Sequence, residues 1–369
     1  MSARLLIICI LLLGVTFVGE YIAYASFRYV GIIKSTHMKA FLMTIGIIMP
    51  TIFIGTMLYG YKHYTIINSW LNTISSVWLS YMMYVLMASL IVFVIIMLNY
   101  HFNFNIPVKL ISYILITIVF AFIIYGLINA HNPRIIRWDV NSEKLSKDWA
   151  GKKIVMISDV HLGTIRGERF LKRVIGKIDT EKPDVVFILG DLIDGPVIPY
   201  EKWLKNFDTL KPEFGNIYIE GNHEKYNKEY SKFKSQIPDS LNNITNKKII
   251  INNTQIIGLD YHHNASNADI DNELKSLGYD PSQQSIVLVH EPRKIKEFAL
   301  DGVSLILSGH THNGQSFPWT IVINSIYKKY AHGVTYTGDT ASVTGAGVGT
   351  ALLMTRIGTI PEIVVLNIK

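Results

Sequence analysis

The sequence predicts an α/β domain preceded by an all-α transmembrane region of about four helices. Residues before about Asn129 are nearly all apolar, whereas the residues after it have the composition of an ordinary soluble domain. In this second part, short apolar runs alternate with helical patterns, which is typical of an α/β sheet. We therefore expect two domains, a helical one over residues 1–132 and an α/β one over residues 133–369.

Four apolar stretches are long enough to cross a bilayer, since about 20 residues span its hydrocarbon core. They run over Leu5–Tyr24, Phe41–Tyr61, Val77–Leu98 and Leu110–Ile128. Their flanks carry aromatic and basic residues such as Lys62, Trp70 and Trp78, which are enriched at membrane interfaces. We expect an integral, multi-pass protein of the cell membrane. The near absence of charge within the spans disfavours a transporter.

The side of the membrane that the second domain faces stays open. The numbers of basic residues near the two membrane surfaces are nearly equal, so the positive-inside rule does not assign a side to the second domain. Arg4, the apolar run after it and Ala23-Tyr24-Ala25 also resemble a secretory signal with a cleavage site. Cleavage there would not change the side of the membrane that the second domain faces.

The chain has 369 residues, a net charge of +7 and a single cysteine, Cys9. The basic residues are scattered over the second part, which favours a solvated surface, and we expect no nucleic-acid partner. One cysteine excludes both an internal disulfide and a cysteine-based metal site.

The second part divides into short elements. Ile135–Val140 alternates like an edge strand, Glu168–Ile178 has helical spacing, and Lys248–Leu259 is predicted as a hairpin that turns at Asn252-Asn253. Further strands are predicted at Lys153–Ser158, Val185–Leu189, Ile217–Ile219, Ser285–Val289, Ser304–Leu307, Thr320–Asn324 and Ile363–Ile368. The closing run of strands indicates a second sheet packed on the first.

Polar motifs follow several of these strands. They are Asp159-Val160-His161, Gly190-Asp191-Leu192-Ile193-Asp194, Gly221-Asn222-His223-Glu224, the single His290, and Gly309-His310-Thr311-His312. Loops at strand ends of an α/β sheet can converge on one point, so we expect these side chains to meet. An isolated Asp-x-His is a weak signal, but coincident surface turns do not explain the whole ordered set.

The residue types fit two-metal hydrolysis of a phosphate ester. Two cations about 3.5–4 Å apart supply an attacking bridging hydroxide and hold phosphoryl oxygens. Such a centre needs hard oxygen and imidazole ligands and one bridging carboxylate. We predict seven metal ligands, which are Asp159, His161, Asp191, Asn222, His290, His310 and His312. His223 lies beside a ligand and is free to protonate the leaving oxygen. Asp194 could orient the His223 ring by accepting a proton from one ring nitrogen.

We expect Asp159-Val160-His161 and His310-Thr311-His312 to be extended strand ends, in which alternate side chains point the same way. The glycines at 190, 221 and 309 permit tight turns beside the ligands. We expect Arg166 and Arg293 to be solvated charges, and His262 and His263 to lie in a surface loop.

These motifs resemble those of the calcineurin-like metallophosphoesterase superfamily, from about Lys152 to the C-terminus. The resemblance implies a four-layer α/β/β/α sandwich and two divalent metal ions, such as Mn, Fe or Zn. It implies one metal held by Asp159, His161, Asp191 and His312, and another held by Asp191, Asn222, His290 and His310. It also implies His223 as the general acid and Asp194 as the residue that pairs with it.

Ser158–Gly163, Gly309–Gln315 with Pro318, and Pro361–Leu366 resemble one bacterial, membrane-associated branch with a GHTHxGQ box. Some members of that branch hydrolyse the pyrophosphate of UDP-diacylglucosamine. Asn313 departs from the Gly-Gly of that box. The change lies beside the ligands and not among them. Only a few residues separate the last span from the second domain, so the second domain is expected to stay near the membrane. We therefore expect a membrane-anchored phosphoesterase that hydrolyses a phosphodiester or pyrophosphate bond of a lipid-linked substrate. The alternatives are a phosphodiesterase or phosphatase acting on a soluble nucleotide or phosphoprotein, and a non-enzymatic membrane scaffold.

Overall fold

The structure is a computed structural model that describes residues 3–60, 63–194, 198–227, 229–261 and 270–369. Tyr61, Lys62, His262 and His263, which the sequence analysis names, lie outside these residues. The chain divides into two compact units. The helical unit comprises Met1–Ile128 with Leu352–Thr355, and the α/β unit comprises Asn129–Ala351 with Arg356–Lys369.

The helical unit contains four helices that are long and apolar enough to cross a membrane. They are α1 (Ala3–Tyr29), α2 (Thr36–Gly60), α3 (Ile66–Phe102) and α4 (Val108–Ala130). With 37 residues, α3 is about 55 Å long, well beyond the hydrocarbon core of a bilayer. Its first half buries polar residues, including Asn72 and Ser76. The Ser76 hydroxyl donates to the carbonyl of Leu352 at 2.9 Å, so this polar half of α3 contacts the Leu352–Thr355 segment.

The α/β unit contains fourteen strands among its described residues. They are β1 Arg134–Val140, β2 Ile154–Ile157, β3 Leu162–Gly163, β4 Val185–Leu189, β5 Ile193–Asp194, β6 Asn216–Ile219, β7 Leu241–Asn243, β8 Lys247–Ile251, β9 Thr254–Gly258, β10 Ser285–Leu288, β11 Leu305–Ser308, β12 Gly333–Thr337, β13 Thr340–Thr344 and β14 Glu362–Ile368. The helices are α5 Glu143–Trp149, α6 Glu168–Glu181, α7 Tyr200–Leu204, α8 Asn222–Tyr226, α9 Tyr230–Ser235, α10 Ile270–Ser276, α11 Ile295–Leu300 and α12 Trp319–Tyr327.

Twelve of the strands form two mixed six-stranded sheets. The first has the order β1-β14-β2-β4-β6-β7 and the second the order β12-β13-β11-β10-β9-β8, while β3 and β5 form a small third sheet. β2, β4, β6 and β7 run parallel to one another, as do β9, β10, β11 and β13. Because the strands of each set point the same way, the loops after them emerge at one edge of each sheet.

The main hydrophobic core combines residues of both six-stranded sheets. Met156 and Phe187 of the first sheet and Leu288 and Leu307 of the second belong to it and are fully buried. Residues that alternate with these, such as Val287, pack with α10 and α11 on the other face of the second sheet. Strands buried on both faces need a helical layer on each outer side. The predicted α/β sandwich preceded by four helices is therefore confirmed.

Two further elements are as predicted. β1 is the edge strand of the first sheet. β8 and β9 form the antiparallel hairpin, and Asn252 and Asn253 at its turn have φ of 48° and 55°. Positive φ at both central positions is the type I′ pattern, which matches the twist of hairpin strands and is tolerated by asparagine.

The prediction of a strand at Thr320–Asn324 is wrong, because these residues belong to α12. β-Branched residues favour strands only where a pleated, half-buried surface receives them. This segment pairs with neither sheet, so it satisfies its own backbone hydrogen bonds as a helix after Pro318.

Candidate metal centre

The predicted site residues follow neighbouring strands of the two sheets. Asp159, Asp191 and Asn222 come after β2, β4 and β6 of the first sheet. His290 and His310 come after β10 and β11 of the second. The strand order of each sheet places these loops side by side, so the α/β unit gathers side chains from distant parts of the chain.

One cluster consists of Asp159, His161 and His312, whose ligand atoms lie within 4.8 Å of one another. The Nε2 atoms of the two histidines are 3.0 Å apart, and Asp159 Oδ1 lies 3.4 Å from His312 Nε2. Burial lowers the pKa of His161 and lowers that of His312 well below its usual range. Both rings are therefore neutral at pH 7, which is the form that binds a cation.

A second cluster consists of Asp191, His290 and His310, also within 4.8 Å. His290 Nδ1 lies 2.7 Å from the carbonyl of Leu189 and donates its proton there, which directs Nε2 into the cluster. That Nε2 is 3.1 Å from Asp191 Oδ2 and 3.1 Å from His310 Nδ1. Burial opposes the charge on His290, but the carboxylate of Asp191 raises its pKa to about 10. A cation at this position would replace the proton between His290 and Asp191.

Asp191 lies between the two clusters. Its Oδ2 is 3.1 Å from His290 Nε2 in the second cluster and 4.0 Å from His161 Nε2 in the first. Its other oxygen accepts the backbone N–H of His223 at 2.9 Å. One carboxylate oxygen thus faces imidazoles of both clusters, as a bridging ligand would.

The donor set fits divalent cations. Asp159 Oδ1, His161 Nδ1 and Asn222 Oδ1 are buried and have no hydrogen-bond partner among the described residues. Buried polar atoms are rarely left unpaired, because each costs about 1–3 kcal/mol. The facing Nε2 atoms of His161 and His312 are 3.0 Å apart, close enough for both to bind one cation. Oxygen and imidazole ligands without thiolate suit Mn, Fe or Zn.

Backbone strain is concentrated in these residues. Five of the seven predicted ligands have left-handed φ, namely Asp159 (54°), His161 (53°), Asp191 (51°), His310 (70°) and His312 (49°). Each such residue costs roughly 1–3 kcal/mol and persists where the surroundings enforce it, commonly at functional sites. The expectation of extended strand ends is therefore wrong. The paired side chains converge because left-handed turns redirect them, not because of strand alternation.

Two glycines let the ligand loops approach closely. A Cβ on Gly221 would lie 2.3 Å from Asp191 Oδ1, and one on Gly190 would lie 2.7 Å from both Gly221 N and His290 Nδ1. Gly190 also has a φ of 84°. A side chain at either position would therefore push apart the loops that carry Asp191, Asn222 and His290.

His223 and Asp194 form a pair beside the clusters. His223 Nδ1 is 3.0 Å from Asp194 Oδ1, and His223 Nε2 is 3.9 Å from Asp191 Oδ2. Burial lowers the pKa of His223, but the hydrogen bond to Asp194 and the nearby carboxylates raise it to about 9. Asp194 also approaches His161 Nδ1 at 3.9 Å, so these three side chains form a further group of potential ligand atoms. The 3.0 Å contact with His223 is the shorter one and favours the predicted pairing.

Glu224 has a role that the motif analysis missed. Its buried carboxylate accepts four backbone N–H groups, from Asp191, Leu192, Ile193 and Gly221, at 2.6–3.1 Å. It thereby fastens the loop after β4 to the loop after β6. The Gly221-x-x-Glu224 spacing, that of the N-cap and N3 residues of a capping box, is the signal that predicts part of this arrangement.

A polar group beside His310 was also missed. Buried Glu291 lies 3.8 Å from His310 Nε2, accepts from Arg293 Nε at 2.5 Å, and accepts from the hydroxyl of Tyr327. The Tyr261 ring is 5.9 Å from the His310 ring. Tyr261, Glu291 and Arg293 line a cleft. Glu291 follows His290 directly, but the contact with Tyr327 depends on the unpredicted helix α12.

The two arginines beside the motifs differ from expectation. Arg293 is half-exposed but paired with Glu291 rather than only solvated. Arg166 is buried, so the prediction of a solvated charge is wrong there. Burial and the charge of Arg356 lower the pKa of Arg166 to about 9. Arg356 in turn donates to the carbonyls of Ala346 and Gly349 and lies 3.1 Å from His312 Nδ1, which fixes the chain around this predicted ligand.

Comparison with known proteins agrees with this site. Residues 152–314 match the family of calcineurin-like phosphoesterases. An uncharacterized metallophosphoesterase of Campylobacter jejuni is 31% identical over 278 residues, 72% of each chain. An uncharacterized metallophosphoesterase of Bacillus subtilis is 30% identical over 66% of this chain and 90% of its own. A transmembrane protein with a metallophosphoesterase domain of Danio rerio is 30% identical over 57% of this chain, which spans only 51% of that protein.

These relatives include membrane proteins, and the four apolar helices indicate that this chain is membrane-associated as well. The matched residues 152–314 contain all seven predicted ligands and both residues of the His223–Asp194 pair. The chain therefore belongs to the calcineurin-like metallophosphoesterases and is a metal-dependent phosphoester hydrolase.

Proposed function

We propose that this protein is a multi-pass membrane phosphoesterase that uses two divalent cations to cleave a phosphodiester or pyrophosphate bond in a lipid-linked substrate. The observation that carries the chemistry is the convergence of ligand atoms in two neighbouring groups, Asp159 with His161 and His312, and Asp191 with His290 and His310. We assign Asp159, His161, Asp191 and His312 to one cation, and Asp191, Asn222, His290 and His310 to the other. Bound there, two cations would activate a water molecule and neutralise charge on the phosphoryl oxygens.

The protein's own side chains supply the proton for the leaving group. Asp194 Oδ1 holds His223 Nδ1, which leaves His223 Nε2 directed toward the centre. When the bond between phosphorus and the leaving oxygen breaks, His223 Nε2 donates its proton to that oxygen. Its raised pKa keeps the ring protonated near neutral pH. Tyr261 and Arg293 line a cleft, and the Tyr261 ring lies 5.9 Å from the ring of His310.

The short connection to the last apolar helix supports a lipid-linked substrate. α4 ends at Ala130 and β1 begins at Arg134, so only residues 131–133 connect a membrane-spanning helix to the first sheet. Three residues reach at most about 10 Å, and the α/β unit therefore works at the bilayer surface. The resemblance to the branch that hydrolyses UDP-diacylglucosamine favours the pyrophosphate of a nucleotide-linked lipid within this class.

The direct test uses the full-length protein in nanodiscs. Metal-free protein should gain turnover of bis-p-nitrophenyl phosphate with at least one of Mn²⁺, Fe²⁺, Co²⁺, Ni²⁺ and Zn²⁺, and lose it with chelator. Incubated with a membrane lipid extract, it should deplete a phosphate-containing lipid that mass spectrometry detects, and an Asp159→Asn protein should not. Turnover of soluble nucleotides or phosphopeptides with every lipid untouched would overturn the lipid substrate, and inactivity with all five metals would overturn the chemistry.

Replacing His223 with alanine should lower kcat by about 10²–10⁴-fold, the contribution of one general acid. Both metals should remain bound, because His223 adjoins a ligand without being one. The loss should be largest for esters with poor leaving groups, which depend most on protonation. The measurements are kcat for a series of aryl phosphodiesters of rising leaving-group pKa and metal content by mass spectrometry. Loss of metal, or an equal loss of rate across the series, would contradict this role.

A further inference from the structure

Helix α12 exposes an unusual amount of apolar surface. None of its nine residues is buried. Trp319 is 53% exposed, Ile321 61% and Ile326 60%, and Val322 beside them is exposed as well. We call these four side chains the α12 patch. Exposed apolar side chains concentrated in one short helix indicate an interaction site more strongly than single scattered ones do.

The rest of the α/β unit does not repeat this pattern. Among its described residues, the other exposed large apolar side chains outside the Phe317–Ile326 segment are Tyr226, Ile250, Leu300 and Tyr336. Each of these lies in a different element or connection. Five such side chains between Phe317 and Ile326 therefore form a concentration within one ten-residue segment.

The composition of this segment fits a lipid surface better than a protein partner. A tryptophan with aliphatic neighbours and adjacent basic residues is the pattern of helices that lie in the membrane interface. Lys328 and Lys329 follow α12 directly and are exposed, and lysines near an anionic bilayer are attracted to its headgroups. The same chain carries four helices that are apolar enough to cross a membrane, which favours a lipid surface as the occupant.

α12 is also fastened to the metal centre. Tyr327, its last residue, donates a hydrogen bond to Glu291, and its ring lies 6.4 Å from the ring of His310. At the other end, a Cβ on Gly314 would lie 2.4 Å from the Cα of Thr320. The turn His312–Gly314, which contains a predicted ligand, therefore packs tightly against the start of the helix. Both ends of α12 therefore adjoin residues of the candidate metal centre.

We propose that α12 is an interfacial membrane anchor: the α12 patch inserts among the lipids, and Lys328 and Lys329 contact their anionic headgroups. This surface brings the metal centre to the headgroup level, where a phosphate of a lipid enters without leaving the bilayer. The proposal concerns a surface and not a reaction, so it stands or falls independently of which substrate is cleaved.

The test places a fluorescent label at single cysteines of the full-length protein. Cys9, the only native cysteine, is first replaced by serine. Ile321→Cys and Ile326→Cys carry the environment-sensitive dye NBD on the patch. Ile250→Cys, which is 59% exposed on β8, and Leu300→Cys, which is 87% exposed, are the matched controls in the same unit. Each protein is reconstituted into phosphatidylcholine vesicles with and without phosphatidylglycerol, and its circular dichroism is compared with that of the unmodified protein.

Labels at positions 321 and 326 should show blue-shifted emission, quenching by spin-labelled lipids and protection from aqueous iodide. Labels at 250 and 300 should show the reverse. Charge reversal by Lys328→Glu with Lys329→Glu should reduce lipid quenching at 321, and more so in the vesicles with phosphatidylglycerol. Iodide quenching at 321 and 326 equal to that at 250 would overturn the proposal. Protection from both quenchers would overturn it as well, since it would show that protein and not lipid covers the patch.

Discussion

Replacing Asp191 with asparagine should remove both metals and lower activity by about 10³-fold or more. Asparagine keeps the size of the side chain and an oxygen that accepts the His223 backbone N–H, while an uncharged NH₂ donor replaces the Oδ2 ligand atom. Among the residues that the structure describes, Asp191 Oδ2 is the one carboxylate oxygen with an ion-pair contact of 4.0 Å or less to an imidazole of each cluster. Without the metals, the transition state loses several kcal/mol of charge stabilisation. The rate falls about tenfold for each 1.4 kcal/mol lost.

The controls for Asp191 are ligands assigned to one metal only. His161→Ala should mainly deplete the metal of the Asp159 cluster, and His310→Ala should mainly deplete the other. Metal stoichiometry by mass spectrometry on equally folded proteins measures each loss. Equal, partial depletion in all three proteins would contradict a bridging role, because a shared ligand must affect both metals at once.

The sequence was most informative where local chemistry decides the structure. The Asn252-Asn253 turn needs residues that tolerate positive φ, and asparagines stand there. The motifs after β2, β4, β6, β10 and β11 meet because parallel strands end at one sheet edge. Composition alone separates the apolar helices of residues 3–130 from the α/β unit.

Features that depend on the assembled fold were not predictable in the same way. The β-branched run in α12 favours a strand, and only the absence of a sheet partner among the described residues makes it a helix. The left-handed backbone of His161 and His310 does not follow from strand periodicity, although histidine adopts this conformation more often than most residues. Arg166 has the sequence context of a surface residue, yet the loop at Thr350 covers it. Long-range packing decides each of these cases.

Glu224→Ala should be the most destabilising single change at the site. The carboxylate accepts the N–H groups of Asp191, Leu192, Ile193 and Gly221. Alanine would leave four buried donors unpaired, and each costs about 1–3 kcal/mol before water or relaxation offsets part of it. We expect a net loss of about 3–5 kcal/mol, the range measured when one partner of a buried charged network is removed. Metal binding should weaken with it, since the loop that carries Asp191 loses its attachment.

Hydrogen exchange of the metal-free protein, followed by mass spectrometry, measures this loss where it arises. A loss of 3–5 kcal/mol corresponds to about 10²–10⁴-fold faster exchange of the amides at 191–193, at tenfold for each 1.4 kcal/mol. Glu201→Ala is the control, because its carboxylate is exposed and pairs only with Lys205 one helical turn away, a contact worth under about 1 kcal/mol. The amide exchange rate of Glu224→Gln should lie between those of Glu224→Ala and Glu201→Ala. Its side-chain oxygen still accepts backbone N–H groups, but its NH₂ group faces backbone donors. If the exchange of amides 191–193 is unchanged in Glu224→Ala, other contacts hold the loop. The Glu224 carboxylate would then influence Asp191 through its charge and not through the position of the Asp191 backbone.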